Sequence, residues 1–246
     1  MILLVPLQFR QLSGPAELTE ASRLLTEVFG SEGDEIPVDL LTAIACSGGF
    51  VGGALLDDDL VGVAVGFGEI PPPGVARPAA LHSHVAAVSP AARGMRVGQR
   101  LKWYQRTWAL ERDIRVIHWT FDPLVRRNAV LNLNRLGAVA DTYCRDLYGS
   151  IPDALNQGME SDRLMVRWEL DSARVLAAAR RSGRTGPAGG PAGIIDTPAD
   201  IESLLLADLP AAQQWRLRQR QAFASLPDGW TVTGIDPDGR YQVELP

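Results

Sequence analysis

Residues 88–107 read VSPAARGMRVGQRLKWYQRT, and the parsing of the chain turns on this stretch. An apolar run ends at Val88, and Ser89-Pro90 makes a turn. Arg93, Gly94, Arg96 and Gly98 then crowd one short loop. From Val97 to about Arg112 the spacing is helical, with Val97, Leu101, Tyr104 and Trp108 on one face. A strand that turns directly into a helix presents first-turn N–H groups with no partner inside the helix, and the helix dipole adds partial positive charge there. Gly94 and Gly98 let a ligand approach the backbone, while Arg93 and Arg96 add formal charge. This combination suits a phosphate or pyrophosphate. The alternative is an arginine-rich helix start that faces only water. Neither a G-x-x-x-x-G-K-[ST] loop nor a Rossmann fingerprint occurs.

The elements on either side follow from hydrophobic period. Residues 17–29 place Leu18, Ala21, Leu25 and Val28 on one helical face, and 37–46 form a second helix stopped by Ser-Gly-Gly. Two apolar runs around Asp57-Asp58-Asp59 predict a β-hairpin, closed by a Pro-Pro-Pro-Gly loop at 71–74. Strands are expected at 79–88 and 114–122, a helix over 126–137 with Gly137 as its stop, and two more strands in 138–148 and 162–170. Tyr104 and Trp108 are expected in the core. A Gly/Pro-rich linker over 181–193 follows a short Ala-rich helix. The remainder, 194–246, is read as one amphipathic helix, anchored by Trp215 with Arg216, Arg218 and Arg220 on a solvated face, and a hairpin turned at Asp-Pro-Asp-Gly. So small a piece makes a poor core alone and is expected to dock on the main domain or on a partner subunit. The order implies an α/β (α+β) fold: a mixed, mostly antiparallel sheet flanked by helices, with a C-terminal helix-plus-hairpin extension.

Composition excludes several classes. The chain has 246 residues, 46% hydrophobic and 22% charged, with a net charge of −5. The acidic balance argues against nucleic acid as a partner. No apolar run is long enough for a bilayer, and the opening MILLVPLQFRQ, without a basic n-region and interrupted by Pro6, reads as a strand and not a signal peptide. A cytoplasmic location without membrane contact is the expectation, with Cys46 and Cys144 as ordinary free thiols. His82 and His84 have no obvious third ligand, so no metal is expected.

The run Val88-Ser89-Pro90-Ala91-Ala92-Arg93-Gly94-Met95-Arg96-Val97-Gly98 resembles the V-x-P-x-x-R-x-x-G-x-G/A signature of the GNAT acyltransferases. Arg96 stands where that family has its first loop glycine. A second landmark, a helix of the form N-x-x-A-x-x-L-Y-x-K-x-G-F, is similar to RRNAVLNLNRLGA, with Ala129, Arg135, Gly137 and Ala138 in register. Leu133 falls where the family places a tyrosine. The resemblance covers about residues 5–170, so 1–180 is expected to be a GNAT-like domain, 181–193 a linker and 194–246 an extension. LHSHVAAVSP, HWTFDPLVRRNAVLNLNRLGA and SDRLMVRWEL more narrowly resemble a subgroup with N-succinyltransferase-like members.

The resemblance implies acetyl-CoA or another acyl-CoA, succinyl-CoA included, as cosubstrate. Its pyrophosphate would lie on the 93–98 loop (Arg93, Gly94, Arg96, Val97, Gly98) and its pantetheine along the strand backbone at Val85, Ala86 and Val88, with an amide of Asn128 or Asn132 assisting. A small amine or amino acid would attack the thioester directly, and the protein would be an N-acyltransferase. His84, on one strand face with His82, is the candidate base, because imidazole titrates near neutrality. Glu69 is a second candidate. Asp122 could orient or relay a proton. Tyr143, or Tyr148, could replace the missing tyrosine as the acid. An anionic acyl group would need an arginine such as Arg126, Arg127 or Arg163. Two other readings stay open: a non-catalytic acyl-CoA-binding or sensing protein, and a structural partner whose tail mediates assembly. A homodimer is also left open.

Overall fold

A computed structural model describes residues 7–30, 33, 35–71, 73–75, 78–149, 159–181 and 193–246. All of the linker expected at 181–193 except its two end residues, and part of the Pro-Pro-Pro-Gly loop, therefore lie outside the described residues. The chain forms two compact units, 1–117 and 118–246.

In the first unit, strands β1 (Gln8–Gln11), β2 (Phe50–Leu56), β3 (Asp59–Glu69) and β4 (Ala80–Val88) lie in that order, each pair antiparallel. The β2–β3 hairpin turns on Asp57 and Asp58, both at positive φ (50° and 70°), as a right-twisted two-residue turn demands. Helices α1 (Pro15–Phe29) and α2 (Val38–Cys46) cover one sheet face. There Leu18, Leu25 and Leu41 pack against Val63, Val65 and Ala87. Helix α3 (Val97–Leu110) contacts β2, β3 and β4. Its Trp108 ring packs edge-on to Phe50, 5.2 Å between centroids, and Val97, Leu101 and Trp108 of the expected face are core, while Tyr104 is only half-buried. The close seat of α3 requires Gly62, where a Cβ would come within 2.8 Å of Val97 Cγ1.

In the second unit the strand order is β5-β7-β6-β9-β10-β8, comprising β5 (Val116–Phe121), β6 (Val139–Cys144), β7 (Arg163–Glu169), β8 (Gly193–Asp196), β9 (Thr231–Ile235) and β10 (Arg240–Glu244). Helix α4 (Arg126–Ala129) passes without interruption into a π-helical turn, Val130–Arg135, where Leu136 N–H reaches the carbonyl of Leu131. The expected single α-helix is thus widened in its last turns. Its exposed carbonyls are met by arginines from α5 (Ala173–Arg180) and beyond: Arg174 donates to Leu133 O and Gly137 O, and Arg181 to Asn134 O. Gly137 stops it at φ 75°.

Residues 194–246 contain more than a helix and a hairpin. Strand β8 forms the far edge of the order, and α6 (Ile201–Ala207) precedes α7 (Leu209–Ala224), with Asp208 ending the first and capping the second. These elements are continuous with residues 118–181. Strand β9 pairs with β6 at Ala140↔Val232. The Asn134 amide makes two hydrogen bonds to the backbone of Ile235, at 2.7 and 3.0 Å. Tyr241, fully buried, donates to Pro123 O at 2.7 Å. Leu124, Met159, Ile201, Leu205 and Ala212 form one apolar cluster, against which Trp215 packs. Arg216, only 3% exposed, grips Asp122 with both terminal nitrogens at 2.9 and 2.5 Å.

Truncating one member of such a buried pair strands the other charge, which costs about 3–5 kcal/mol. Arg216→Met is therefore expected to lower the urea midpoint of unfolding sharply. Combining it with Asp122→Leu should recover much of the loss, because the carboxylate that Arg216 gripped is then gone as well, leaving only the longer 3.8 Å approach of Arg163 unmet.

Candidate functional site

The loop between β4 and α3 is built by its own backbone. Ser89 N–H donates to Val61 O at 2.9 Å, and a single 3₁₀ turn, Pro90–Ala92, follows, with the Ser89 hydroxyl accepting from Ala91 N–H. Gly94 sits at φ 84° and Arg96 at φ 57°, ψ 30°, the left-handed region. Arg96 is thus in the backbone conformation that favours glycine, at the position where the resembling motif carries one. The side chain costs about 1–2 kcal/mol there relative to glycine, yet the turn survives the substitution. Arg96 begins α3, whose first internal hydrogen bond runs from Arg100 N–H to Arg96 O. No side chain caps this end, and its first turn holds no acidic residue. The first-turn amides are left to an external acceptor. Arg93 and Arg96 are exposed beside them. Among the described residues, a Cβ on Gly94 would meet nothing within 4 Å, and one on Gly98 only Val88 Cγ2 at 3.5 Å. The donor set and the open glycine surface fit a diphosphate. Val97 is different: its side chain is buried, so only its backbone faces the mouth.

Strand β4 leads into this loop with a register shift. Val65 faces Val85 and Gly66 faces Ser83, so His84 has no partner on β3. This is a β-bulge, and it breaks the two-residue alternation. Ser83 turns toward α3, where Lys102 Nζ donates to its hydroxyl at 2.6 Å. Val85 packs with the α1–α2 core. His84 is exposed, and its ring meets His82 at 5.9 Å and Phe67 at 5.7 Å. Loss of solvent among its neighbours lowers the His84 pKa, and the charge of Glu35 opposes that shift. Ala86 is exposed, Val88 half-buried, and Glu69 ends β3 opposite Ala80.

Within residues 118–246 the predicted Asp122 and Tyr143 fall into one ionic cluster. Asp122 is held by Arg216 and also accepts from Leu124 N–H. Tyr143 donates to Asp162 at 2.6 Å and stacks on Phe223 at 4.8 Å. Asp162, fully buried, receives Arg220 at 2.9 and 2.7 Å. Burial alone would raise Asp162, but hydrogen bonds from Arg220, Tyr143 and the Asp146 N–H outweigh it and hold the carboxyl low. Burial and Asp162 together push the Tyr143 phenol far up. Its proton is committed to a carboxylate, and both Asp122 oxygens to a guanidinium. That arrangement holds chain segments together and leaves little for proton relay. The expected solvated arginine face of α7 is also corrected: Arg216 and Arg220, four apart and so on one helix face, are ion-paired, and Arg218 is the exposed one.

The remaining candidates separate as follows. Asn132 is buried and Asn128 half-buried. Leu133 is fully buried, an apolar anchor where the motif has tyrosine. Tyr148 is exposed, with its hydroxyl 3.0 Å from Thr120 Oγ1 and Arg163 above its ring. Arg126 donates to Thr197, and Arg127 pairs with Glu202. Among the described residues no group of three or more His, Cys, Asp or Glu side chains is arranged for a metal ion, and no helix is long and apolar enough to cross a membrane. Sequence reading missed Lys102, Ser83, Asp162 and the partners of Arg216 and Arg220. A lysine in a helical apolar stripe is the only signal that pointed to the first.

Comparison with known proteins accounts for this geometry. Residues 18–137 match the model of the acetyltransferase (GNAT) family. This stretch, just under half of the chain, is similar to a GNAT-family domain. A comparison with curated protein sequences finds no match. Solved structures share the fold at low identity. A GNAT-family acetyltransferase from Streptococcus pneumoniae has a TM-score of 0.52 at 14% identity, covering 66% of this chain and 98% of that one. A ribosomal-protein-alanine N-acetyltransferase from Brucella melitensis gives 0.52 at 17%, with 65% and 98% covered. A chain of the NatC complex bound to Gag peptide and CoA gives 0.53 at 12%, with 66% and 98% covered.

Lys102 offers a test of this packing. It is buried, also donates to Gln105 Oε1 at 3.3 Å, and burial lowers its pKa from 10.5 to about 7. Between those values the unfolded chain holds a proton that the folded one has released, so stability rises with pH from about 7 toward 10.5, by up to about 1.4 kcal/mol per unit. Below about 7 both states are protonated and this slope vanishes. Urea midpoints at pH 7 and pH 9 should rise more for the wild type than for Lys102→Met.

Proposed function

We propose that this GNAT-family protein is an acyl-CoA-dependent N-acyltransferase that moves an acetyl or similar acyl group to the amine of a small molecule. The observation that carries the reading is the uncapped mouth of α3, with its left-handed Arg96, open Gly94 and Gly98, and exposed Arg93. First-turn N–H groups, helix dipole and guanidinium groups all favour a diphosphate there. CoA is bound in the NatC neighbour.

When bound, acyl-CoA supplies an acyl carbonyl activated as a thioester. The 93–98 loop holds the diphosphate, and the backbone of Val85, Ala86 and Val88 borders the adjoining strand. His84, kept neutral near pH 7 by its lowered pKa, takes the proton of the attacking ammonium. The exposed bulge position gives its ring access to that proton. Succinyl remains among the acyl groups this reading admits. A second reading, a non-catalytic acyl-CoA sensor, draws support from Leu133, whose burial leaves no phenol at the motif's tyrosine position.

Calorimetry and thiol release divide the two. An enzyme releases thiol from acetyl- or succinyl-CoA with some member of a panel of amines; a sensor binds CoA and releases none. Gly98→Glu is sterically tolerated, since a Cβ there meets only Val88. It is expected to weaken CoA binding at least about 100-fold by setting a carboxylate against the diphosphate, and unchanged affinity would refute the placement. His84→Ala should cut turnover by about 10²-fold or more with CoA affinity retained; wild-type turnover would remove His84 as the base.

A further inference from the structure

We infer that the acceptor for this site is a primary ammonium with a flat apolar body and no carboxylate, seated on the rings of Phe67, His82 and His84 in the field of Glu35. The inference rests on the acyltransferase reading and names the substrate class within it.

The three rings form a closed triangle, with centroids 5.1 Å apart for Phe67 and His82, 5.7 Å for Phe67 and His84, and 5.9 Å for the two histidines. Phe67 lies directly opposite His82 in the β3–β4 register and is 40% exposed. A single exposed apolar ring is ordinary. Three rings in mutual contact at the surface, one of them at a β-bulge beside the coenzyme loop, make a platform that a flat or cationic group can cover. His82 and His84, two residues apart, share a strand face. The bulge between Ser83 and Val85 sends the first to Lys102 and the second to the α1–α2 core, while His84 stays beside His82 and Phe67.

Glu35 acts electrostatically on His84, and its position is set by α1: its N–H donates to Thr26 Oγ1 at 3.1 Å, while the next carbonyl, of Ile36, accepts from the Ser22 hydroxyl at 2.7 Å. His84 is held toward its neutral form, so its ring does not repel a cation. An ammonium gains from the carboxylate and from the ring faces together. A carboxylate on the same acceptor is repelled by Glu35 and gains nothing from the rings, so the site discriminates by repulsion as well as attraction.

Phenethylamine and L-phenylalanine differ only by that carboxylate, and they make the test. Thiol release should give phenethylamine a kcat/KM about tenfold or more above L-phenylalanine. Phe67→Ala should raise KM for the amine several-fold with CoA affinity unchanged, and Glu35→Gln should shrink the preference between the two acceptors. Titration of the CoA-bound protein with phenethylamine should shift the NMR signals of the His82 and His84 rings, a readout independent of turnover. An equal or better rate with L-phenylalanine, or an unaltered KM in Phe67→Ala, overturns the inference and leaves the acyltransferase reading intact. Shifted imidazole signals without thiol release sustain the ammonium site and sink the enzymatic reading. Imidazole signals that stay fixed at saturating amine overturn the inference whatever the rate.

Discussion

The arrangement of the first unit depends on one irregularity, the bulge that leaves His84 without a partner on β3. A strand obeys a period of two, so its buried residues all face one way. Strand β4 instead serves both faces: Ser83 meets Lys102 beneath α3, and two residues later Val85 packs with the α1–α2 core. Between them His84 is turned outward beside His82 and Phe67. The same short segment thus fastens α3, supports the apolar core and presents the candidate base, within a few residues of the loop that opens α3.

That loop shows how a motif tolerates a departure. Glycine is favoured at φ 57° because it has no Cβ to meet the neighbouring carbonyl. Arginine adopts the same conformation here. The surrounding hydrogen bonds, from Ser89 to Val61 and from Arg93 to Pro90, determine the path of the turn more strongly than one residue's preference does. The substitution exchanges a little conformational energy for an exposed cation beside the uncapped mouth of α3.

In the second unit the organising contacts are ionic. Arg216 and Arg220, one helical turn apart on α7, reach Asp122 and Asp162. The C-terminal segment is thereby tied to residues 118–181 at a buried point, and the Asn134–Ile235 and Tyr241–Pro123 hydrogen bonds extend the seam. Tyr143 and Asp122 look fit for proton transfer as isolated residues, but here the Tyr143 phenol is pushed up by burial and Asp162, and Asp122 is spent on holding Arg216.

Local pattern determined most of the elements. Helical spacing in 15–29 and 97–110, the Asp57-Asp58 hairpin, the Gly137 stop and the strand-turn-helix at Val88 are all short-range signals, because each depends on neighbours within a turn or on backbone preferences of single residues. The glycine- and arginine-bearing turn that opens α3 was legible for the same reason. The β8 strand and α6 were not, since short segments carry too little period to stand out. Partners were also illegible: whether Arg216 meets water or Asp122 and whether Lys102 is buried depend on residues up to about a hundred positions away. The sequence by itself determined which segments form and where an anion could dock. Only the tertiary structure decided which charges are spent on holding the chain together and which remain for a ligand, because burial and ion pairing are properties of the assembled neighbourhood and not of any stretch within it.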